Sequence, residues 1–99
     1  MTQIHCALFK WKDGTTNAEI EHALQLVRDV KDRVPGIRGI YCGENTSKWS
    51  QGFTHAVVVI GEDQKAIDAY RADEVHEEAA KIIEAMELDG IGIDFSDDS

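Results

Sequence analysis

Four side chains that can move or share protons stand among the predicted core positions of this sequence. His5 lies in "IHCALF", His55 lies in "GFTHAVVVI", and Tyr70 and His76 flank the stretch "RADEV". An imidazole with an unperturbed pKa of about 6.5 is suited to proton transfer at neutral pH. A phenol can donate a hydrogen bond to a developing enolate or alkoxide oxygen. The same residue types also occur as hydrogen-bonded core residues, so the pattern leaves both a ligand pocket and a structural role open.

Metal and cofactor motifs are absent from the sequence. Asp73, His76 and Glu77 in "DEVHEE" have a helical spacing that could hold a divalent ion, but no second ligand cluster accompanies them. No phosphate-binding glycine loop, GxSxG motif or nucleotide fingerprint is present. Cys6 and Cys42 lack CxxC spacing and lie in apolar strand contexts, where a cysteine is usually a small free hydrophobe. We therefore expect no metal, no cofactor and two free thiols.

Hydrophobic periodicity places these residues on an α+β framework. Apolar runs bounded by turn residues predict four strands, at 3–11, 37–44, 53–60 and 91–95. A stripe with i, i+3/i+4 spacing predicts a first helix from a cap at Thr16 to about Arg33. Asp63 caps a short second helix, and a longer one carries an apolar stripe from Val75 to Met86. The order β-α-β-β-α-β predicts the ferredoxin-like plan, a four-stranded antiparallel sheet with helices on one face.

The third predicted strand is apolar on both of its faces. Val57 and Val59 point one way, while Ala56, Val58 and Ile60 point the other. A sheet with helices on one side and water on the other should alternate apolar with polar residues. Because no segment remains to cover the second face, we expect a homodimer in which two sheets pack against each other and close a barrel.

Charge and the chain ends bear on partners and location. The formal net charge of −9 argues against nucleic acid and anionic membranes, because both attract positive patches. No apolar run reaches the roughly 20 residues of a membrane span, and the first residues do not resemble a secretory signal. We expect a cytoplasmic protein with a single domain over residues 1–99, whose acidic end, 96–99, forms a flexible tail.

In order and spacing, four stretches of the chain resemble the stress-responsive A/B barrel domain family, which belongs to the dimeric α+β barrel superfamily. These stretches are "HCALFKWKDG", "VPGIRGIYCGEN", "QGFTHAVVV" and "AYRADEVHEEA", and together they span nearly the whole sequence. The resemblance implies a dimeric α/β barrel with a ferredoxin-like subunit. Its marks include a histidine opening the first strand, "TH" before three apolar residues, and a tyrosine followed six residues later by a histidine.

The resemblance also implies a site. A plant polyketide cyclase of this family performs an aldol-type cyclisation without a metal or cofactor, and its reacting pair falls here on Tyr70 and His76, with pocket histidines at His5 and His55. Val27 stands where that cyclase has a pocket tyrosine, and Asp73-Glu74 replaces the frequent His-Pro. The first departure removes a polar contact, so the resemblance does not extend to that substrate.

We therefore expect one cavity per subunit, lined by the four polar residues and walled by Leu24 and Val27. If the cavity is catalytic, His76 is the proton-transfer base and Tyr70 the donor to the substrate oxygen. Four functions stay open on the sequence. They are a small-molecule binding dimer, a metal-free lyase or cyclase acting on a small carbonyl compound, a cofactor-free monooxygenase that uses Trp49 and the histidines, and a structural module without a ligand.

Overall fold

The structure, a computed structural model, describes residues 1–98. Within them the elements are β1 (Thr2–Trp11), α1 (Asn17–Asp29), a 3-10 turn (Val30–Asp32), β2 (Ile37–Glu44), β3 (His55–Gly61), α2 (Gln64–Ala72), α3 (Glu74–Met86) and β4 (Glu87–Asp97). The strands form one antiparallel sheet in the order β2-β3-β1-β4. The helices share one core with a single face of that sheet. The ferredoxin-like plan predicted from the sequence is confirmed.

A capping box starts α1 where the sequence predicts it. The Glu19 backbone N–H donates to the Thr16 hydroxyl oxygen at 3.2 Å, and the Thr16 N–H donates to a Glu19 carboxylate oxygen at 3.0 Å. These two bonds satisfy N–H groups that a helix start otherwise leaves without partners. The α-helix ends at Asp29 rather than near Arg33, because the chain tightens into the 3-10 turn before Pro35.

The core lies between the helices and the sheet face that carries the two strand histidines. Ile20, Leu24 and Val27 of α1 are buried against Val57 and Val59 of β3. Alternation along a strand puts His5 and His55 on this same helix-covered face, since His5 pairs with Val59, and Phe9 pairs with His55. Strand alternation thus determines the sheet face on which the histidines lie. The helices packed on that face determine which side chains surround each histidine.

The opposite face of the sheet carries large apolar side chains that nothing in residues 1–98 covers. Ile91, Ile93 and Phe95 of β4 are 44%, 45% and 49% exposed. They pair with Leu8, Cys6 and Ile4 of β1, so strand alternation extends the apolar surface across both strands. Tyr41 of β2, which is 64% exposed, lies on the same side because it pairs with Val58. We call this surface the outer face.

The last strand is longer than the apolar run that predicts it. It begins at Glu87, directly after α3, and ends at Asp97, because it pairs with almost the whole of β1. Ser96 pairs with Gln3 and Asp97 with Thr2. The tail expected at 96–99 therefore begins as strand, and Ser99 lies outside the described residues.

No helix within residues 1–98 has the length and apolarity needed to cross a bilayer.

Candidate functional site

A cavity of about 270 Å³ lies between the sheet and the helices. One end is lined by His5, Tyr70 and His76, and the other by Glu84 and Glu87. The stretch between these ends is apolar and is formed by Ala7, Phe9, Val27, Val57, Ala80 and Ile83. The volume is at the small end of ligand sites, which commonly run from about 300 Å³ upward. It suits a compact molecule with polar ends and an apolar middle.

Asp73 joins α2 to α3 and so sets the positions of Tyr70 and His76. Its backbone N–H donates to the Tyr70 carbonyl oxygen at 3.3 Å and ends α2. Its carboxylate accepts the Val75 N–H at 3.0 Å and caps α3. The Arg33 guanidinium donates to the same carboxylate at 3.0 Å, which ties the joint to the chain just beyond α1. Tyr70 and His76 thus lie three residues to either side of a fixed corner.

The two rings meet at one wall of the cavity. The Tyr70 and His76 ring centroids are 4.5 Å apart with the planes at 61°, and the His5 and Tyr70 centroids are 6.2 Å apart. Tyr70 is only 2% exposed, and its hydroxyl has no hydrogen-bond partner among residues 1–98. Among the described residues, His76 Nδ1 is the buried side-chain atom that lacks a hydrogen-bond partner. A buried polar atom left this way costs about 1–3 kcal/mol, so a ligand or water that satisfies His76 Nδ1 gains that energy.

Burial sets the protonation of this pair. Desolvation lowers the pKa of His76 below its ordinary value; the nearby Arg71 carbonyl opposes this, and the charges of His5 and Arg71 add to it. The imidazole is therefore neutral at neutral pH. Desolvation likewise raises the pKa of the Tyr70 phenol, so that group keeps its proton. The site presents a neutral base beside a protonated hydroxyl.

His5 is held at the rim by a charged pair. Its Nδ1 lies 2.8 Å from Asp94 Oδ1, and the Arg71 Nη2 donates to the same oxygen at 2.9 Å. Burial raises the pKa of Asp94, but the His5 hydrogen bond and the His5 and Arg71 charges outweigh it, and the net shift is downward. Because an ionised carboxylate only accepts, the imidazole is the donor in the hydrogen bond between His5 and Asp94.

His55 and Leu24 do not line this cavity, so the expectation of one cavity shared by all four polar residues needs correction. The Trp11 indole N–H donates to His55 Nδ1 at 2.9 Å, and the Thr54 hydroxyl lies at 2.9 Å from the same nitrogen. His55 borders a separate groove near α1. Leu24 is fully buried in the core. His5 and His55 share a face but lie four residues apart in the strand register, at opposite ends of the sheet.

Trp49 also lies apart from the cavity. It is 74% exposed in the loop before β3, and the Lys48 ammonium lies 5.2 Å from its ring centroid. Trp49 does not share the site with the histidines, so the geometry offers no support for the monooxygenase in which they act together.

Within residues 1–98, no three His, Cys, Asp or Glu side chains cluster closely enough to hold a metal ion, including Asp73, His76 and Glu77.

Four further residues belong to the site and were missed from the sequence. Arg71 and Asp94 hold His5, while Glu84 and Glu87 line the far end of the cavity. Asp94 could have been found, because it interrupts the apolar alternation of "IGIDF" and an antiparallel β1–β4 register sets it opposite His5. Glu84 and Glu87 are indistinguishable in sequence from the other acidic residues of the stretch from Glu74 to Asp89.

The profile of the Stress responsive A/B Barrel Domain matches residues 4–97. The chain belongs to this family. Solved structures with the same fold as this A/B barrel domain include a dimeric ferredoxin-like protein of unknown function from Thermobifida fusca. That match has 24% identity and a TM-score of 0.85, and it covers 97% of this chain and 91% of the other. A protein from Arabidopsis thaliana also has 24% identity, with a TM-score of 0.84 over 98% and 96% of the two chains.

A third structure with the fold of this A/B barrel domain is an enzyme. The hydroxynitrile lyase from Passiflora edulis is 13% identical, with a TM-score of 0.85 and coverage of 99% of this chain and 95% of the other. At such identity the likeness concerns the fold alone. No curated protein matches the sequence of this A/B barrel domain.

Proposed function

We propose that this A/B barrel domain binds a small organic molecule with a carbonyl or hydroxyl oxygen, in one cavity per subunit. The observation that carries the proposal is the buried, unpartnered Nδ1 of His76 beside the unpartnered hydroxyl of Tyr70 at the wall of that cavity. A ligand oxygen that reaches these groups would relieve the cost of burying His76 Nδ1 and would accept a hydrogen bond from the Tyr70 hydroxyl. The cavity has room for about nine water molecules at roughly 30 Å³ each, and a ligand that displaces them also covers its apolar middle.

Thermal unfolding with a panel of small aromatic and β-keto compounds tests the binding. A ligand at a hundred times its Kd stabilises the folded state by about 2.7 kcal/mol, which is a shift of many degrees for a domain of this size. The matched pair of variants is His76→Ala and His22→Ala, since His22 is exposed on α1 and lies outside this cavity. The proposal expects ligand-induced stabilisation to be lost in the first and kept in the second. If no compound stabilises the unmodified protein, the binding proposal fails.

A second candidate is a metal-free lyase or cyclase, and the protonation of the pair favours it. Neutral His76 would take the proton from a carbon next to the substrate carbonyl, and the electron pair of that C–H bond would move onto the carbonyl oxygen. The Tyr70 hydroxyl would donate a hydrogen bond to this developing enolate. The Passiflora edulis lyase lends support because it performs lyase chemistry on the same fold.

Exchange of the α-protons of a β-keto ester in deuterated water, followed by NMR, tests this chemistry. We expect the enzyme-dependent exchange to vanish in His76→Ala and to fall by about 10²–10³ in Tyr70→Phe, the usual cost of one oxyanion donor. Exchange that is unchanged in both variants excludes catalysis by this pair while leaving ligand binding open.

We further propose that two copies pack outer face to outer face. The exposed Ile91, Ile93 and Phe95 of β4 support this, because apolar surface gains roughly 25 cal/mol per Å² when it leaves water. The description of the Thermobifida fusca protein as dimeric agrees with such packing.

The free thiols of Cys6 and Cys42 suit a reducing compartment such as the cytoplasm.

A further inference from the structure

The two ends of the cavity differ in charge. His76 at one end and Glu84 at the other are eight residues apart on α3, a rise of about 12 Å along the helix axis. The first end presents the neutral His76 and the protonated Tyr70. The second presents two carboxyl groups, since Glu87 opens β4 immediately after the helix. A ligand that fills the cavity lengthwise therefore meets an acidic wall at one end.

Neither glutamate at that end is paired with a cation. Among residues 1–98, no ion pair or side-chain hydrogen bond involves the carboxylate of Glu84 or Glu87. The Lys12 ammonium, which lies near the end of α3, donates to the Ala85 backbone carbonyl oxygen at 3.3 Å. Desolvation by burial and the charges of Asp89 and Glu84 all raise the pKa of Glu87. Neither carboxylate thus has a cation within ion-pair distance, and the Lys12 ammonium is held on a backbone carbonyl instead.

An independent feature of the same cavity points to a ligand. Tyr70 lines the cavity with a side chain that is 2% exposed, and its hydroxyl has no partner within residues 1–98, so it is free to donate to a bound group. The nearest cation at that end, Arg71, is already bound to Asp94 at 2.9 Å. No basic residue is among those that line the cavity. A carboxylate-bearing ligand would therefore meet no basic side chain among the residues that line the cavity.

Building on the function proposed above, we propose that the cavity selects small molecules with a hydroxyl or carbonyl oxygen at one end and a protonated amine at the other. The oxygen lies at Tyr70 and His76, and the ammonium group lies at Glu84 and Glu87. The net charge of −9 favours the approach of such cations over anions. Hydrogen bonds between an ammonium and a carboxylate are roughly twice as strong as neutral ones, so the amine decides the selectivity.

Three probes that share a phenol ring and differ in the charge at the other end isolate the effect of ligand charge on binding. Tyramine carries an ammonium, tyrosol carries a neutral hydroxyl at the same place, and 4-hydroxyphenylacetate carries a carboxylate. Titration calorimetry at pH 7 should show tyramine binding about tenfold more tightly than tyrosol, with 4-hydroxyphenylacetate weakest. Added salt should narrow the gap between tyramine and tyrosol, because it screens the charge interaction.

The variant Glu84→Gln/Glu87→Gln should lose the preference for tyramine and keep the affinity for tyrosol. The matched control is Glu77→Gln/Glu78→Gln, which removes the same charge from two exposed positions of α3 outside the cavity lining. If the double variant does not fold, the single variant Glu84→Gln, at an exposed position, should already reduce the preference for tyramine. Equal affinity for the three probes overturns the charge selection while leaving the proposed binding function intact. A tyramine preference that survives the double variant overturns the assignment to Glu84 and Glu87. If none of the probes binds, the selection is also overturned, and the panel of carbonyl compounds decides the binding function separately.

Discussion

The edge of one aromatic ring meets the face of another between Tyr70 and His76, whose centroids are 4.5 Å apart across the junction of α2 and α3. The contact places a phenol hydroxyl and an imidazole on one wall of the cavity. Tyr70→Phe keeps the ring contact and removes only the hydroxyl. We expect this variant to bind an oxygen-bearing ligand about three- to tenfold more weakly, because a typical hydrogen bond is worth about 0.5–1.5 kcal/mol. Calorimetric titration measures the change.

The stability of the same variant provides the control. The hydroxyl of Tyr70 has no partner among the described residues, so its removal should leave the free energy of unfolding unchanged or slightly higher. A loss of more than about 2 kcal/mol in urea denaturation would show that the hydroxyl serves the fold, and that it does not serve a ligand.

Acid should destabilise the protein through His76. Burial lowers the pKa of this imidazole in the folded state, so the unfolded chain binds the proton more readily. The stability that the neutral imidazole of His76 contributes is fully present above the unfolded-state pKa of about 6.5. It is lost as the pH falls through the lower pKa of the folded state. We expect His76→Gln to lose less stability than the unmodified protein between pH 7.5 and pH 5, as measured by urea denaturation. His22→Gln, at an exposed position, should follow the unmodified protein, and equal pH dependence in all three would contradict the assignment.

A charge introduced on the outer face should separate the subunits of the proposed dimer. Ile93 is 45% exposed and pairs with Cys6. We expect Ile93→Asp to sediment as a monomer at micromolar concentration, because its carboxylate would be buried without a partner between two sheets. The control Thr46→Asp adds the same charge in the exposed loop before β3 and should leave the dimer intact. A stable monomer for the unmodified protein would rule out the proposed packing.

The two cysteines should stay unpaired and react slowly. Cys6 pairs with Val58 and Cys42 with Val57, so they lie two strands apart and point to opposite faces of the sheet. Two strand spacings of about 4.8 Å exceed the Cα separation of roughly 7 Å that a disulfide tolerates. Burial raises the pKa of Cys42 to about 11, so about one thiol in a thousand is ionised at pH 8.

Alkylation by iodoacetamide followed by mass spectrometry measures this reactivity. At pH 8 we expect Cys42 in the folded protein to react on the order of a hundredfold more slowly than in the denatured chain. Non-reducing peptide mapping that finds an intramolecular disulfide would contradict the strand order.

Strand alternation made most of the fold predictable, whereas the site was only partly predictable. The both-faced apolar pattern of β3 and the cap at Thr16 are local signals, and both match the structure. His55 was assigned to the wrong cavity because alternation determines the face of a residue but not which helix lies above it. Glu84 and Glu87 were missed because their position depends on β4 starting directly after α3. The extra length of β4 follows from pairing with β1, a long-range effect that no local pattern reports.

The corner at Asp73 has a consequence for insertions and deletions. Because one residue ends α2 and starts α3, the chain has no slack between Tyr70 and His76. One residue inserted there would turn His76 by about 100° around the axis of α3 relative to Tyr70, since an α-helix has 3.6 residues per turn. The same insertion in the exposed loop at 46–49 would displace neither ring. The spacing of six residues between this tyrosine and this histidine is therefore a mechanical requirement, as restrictive as the identity of the two side chains.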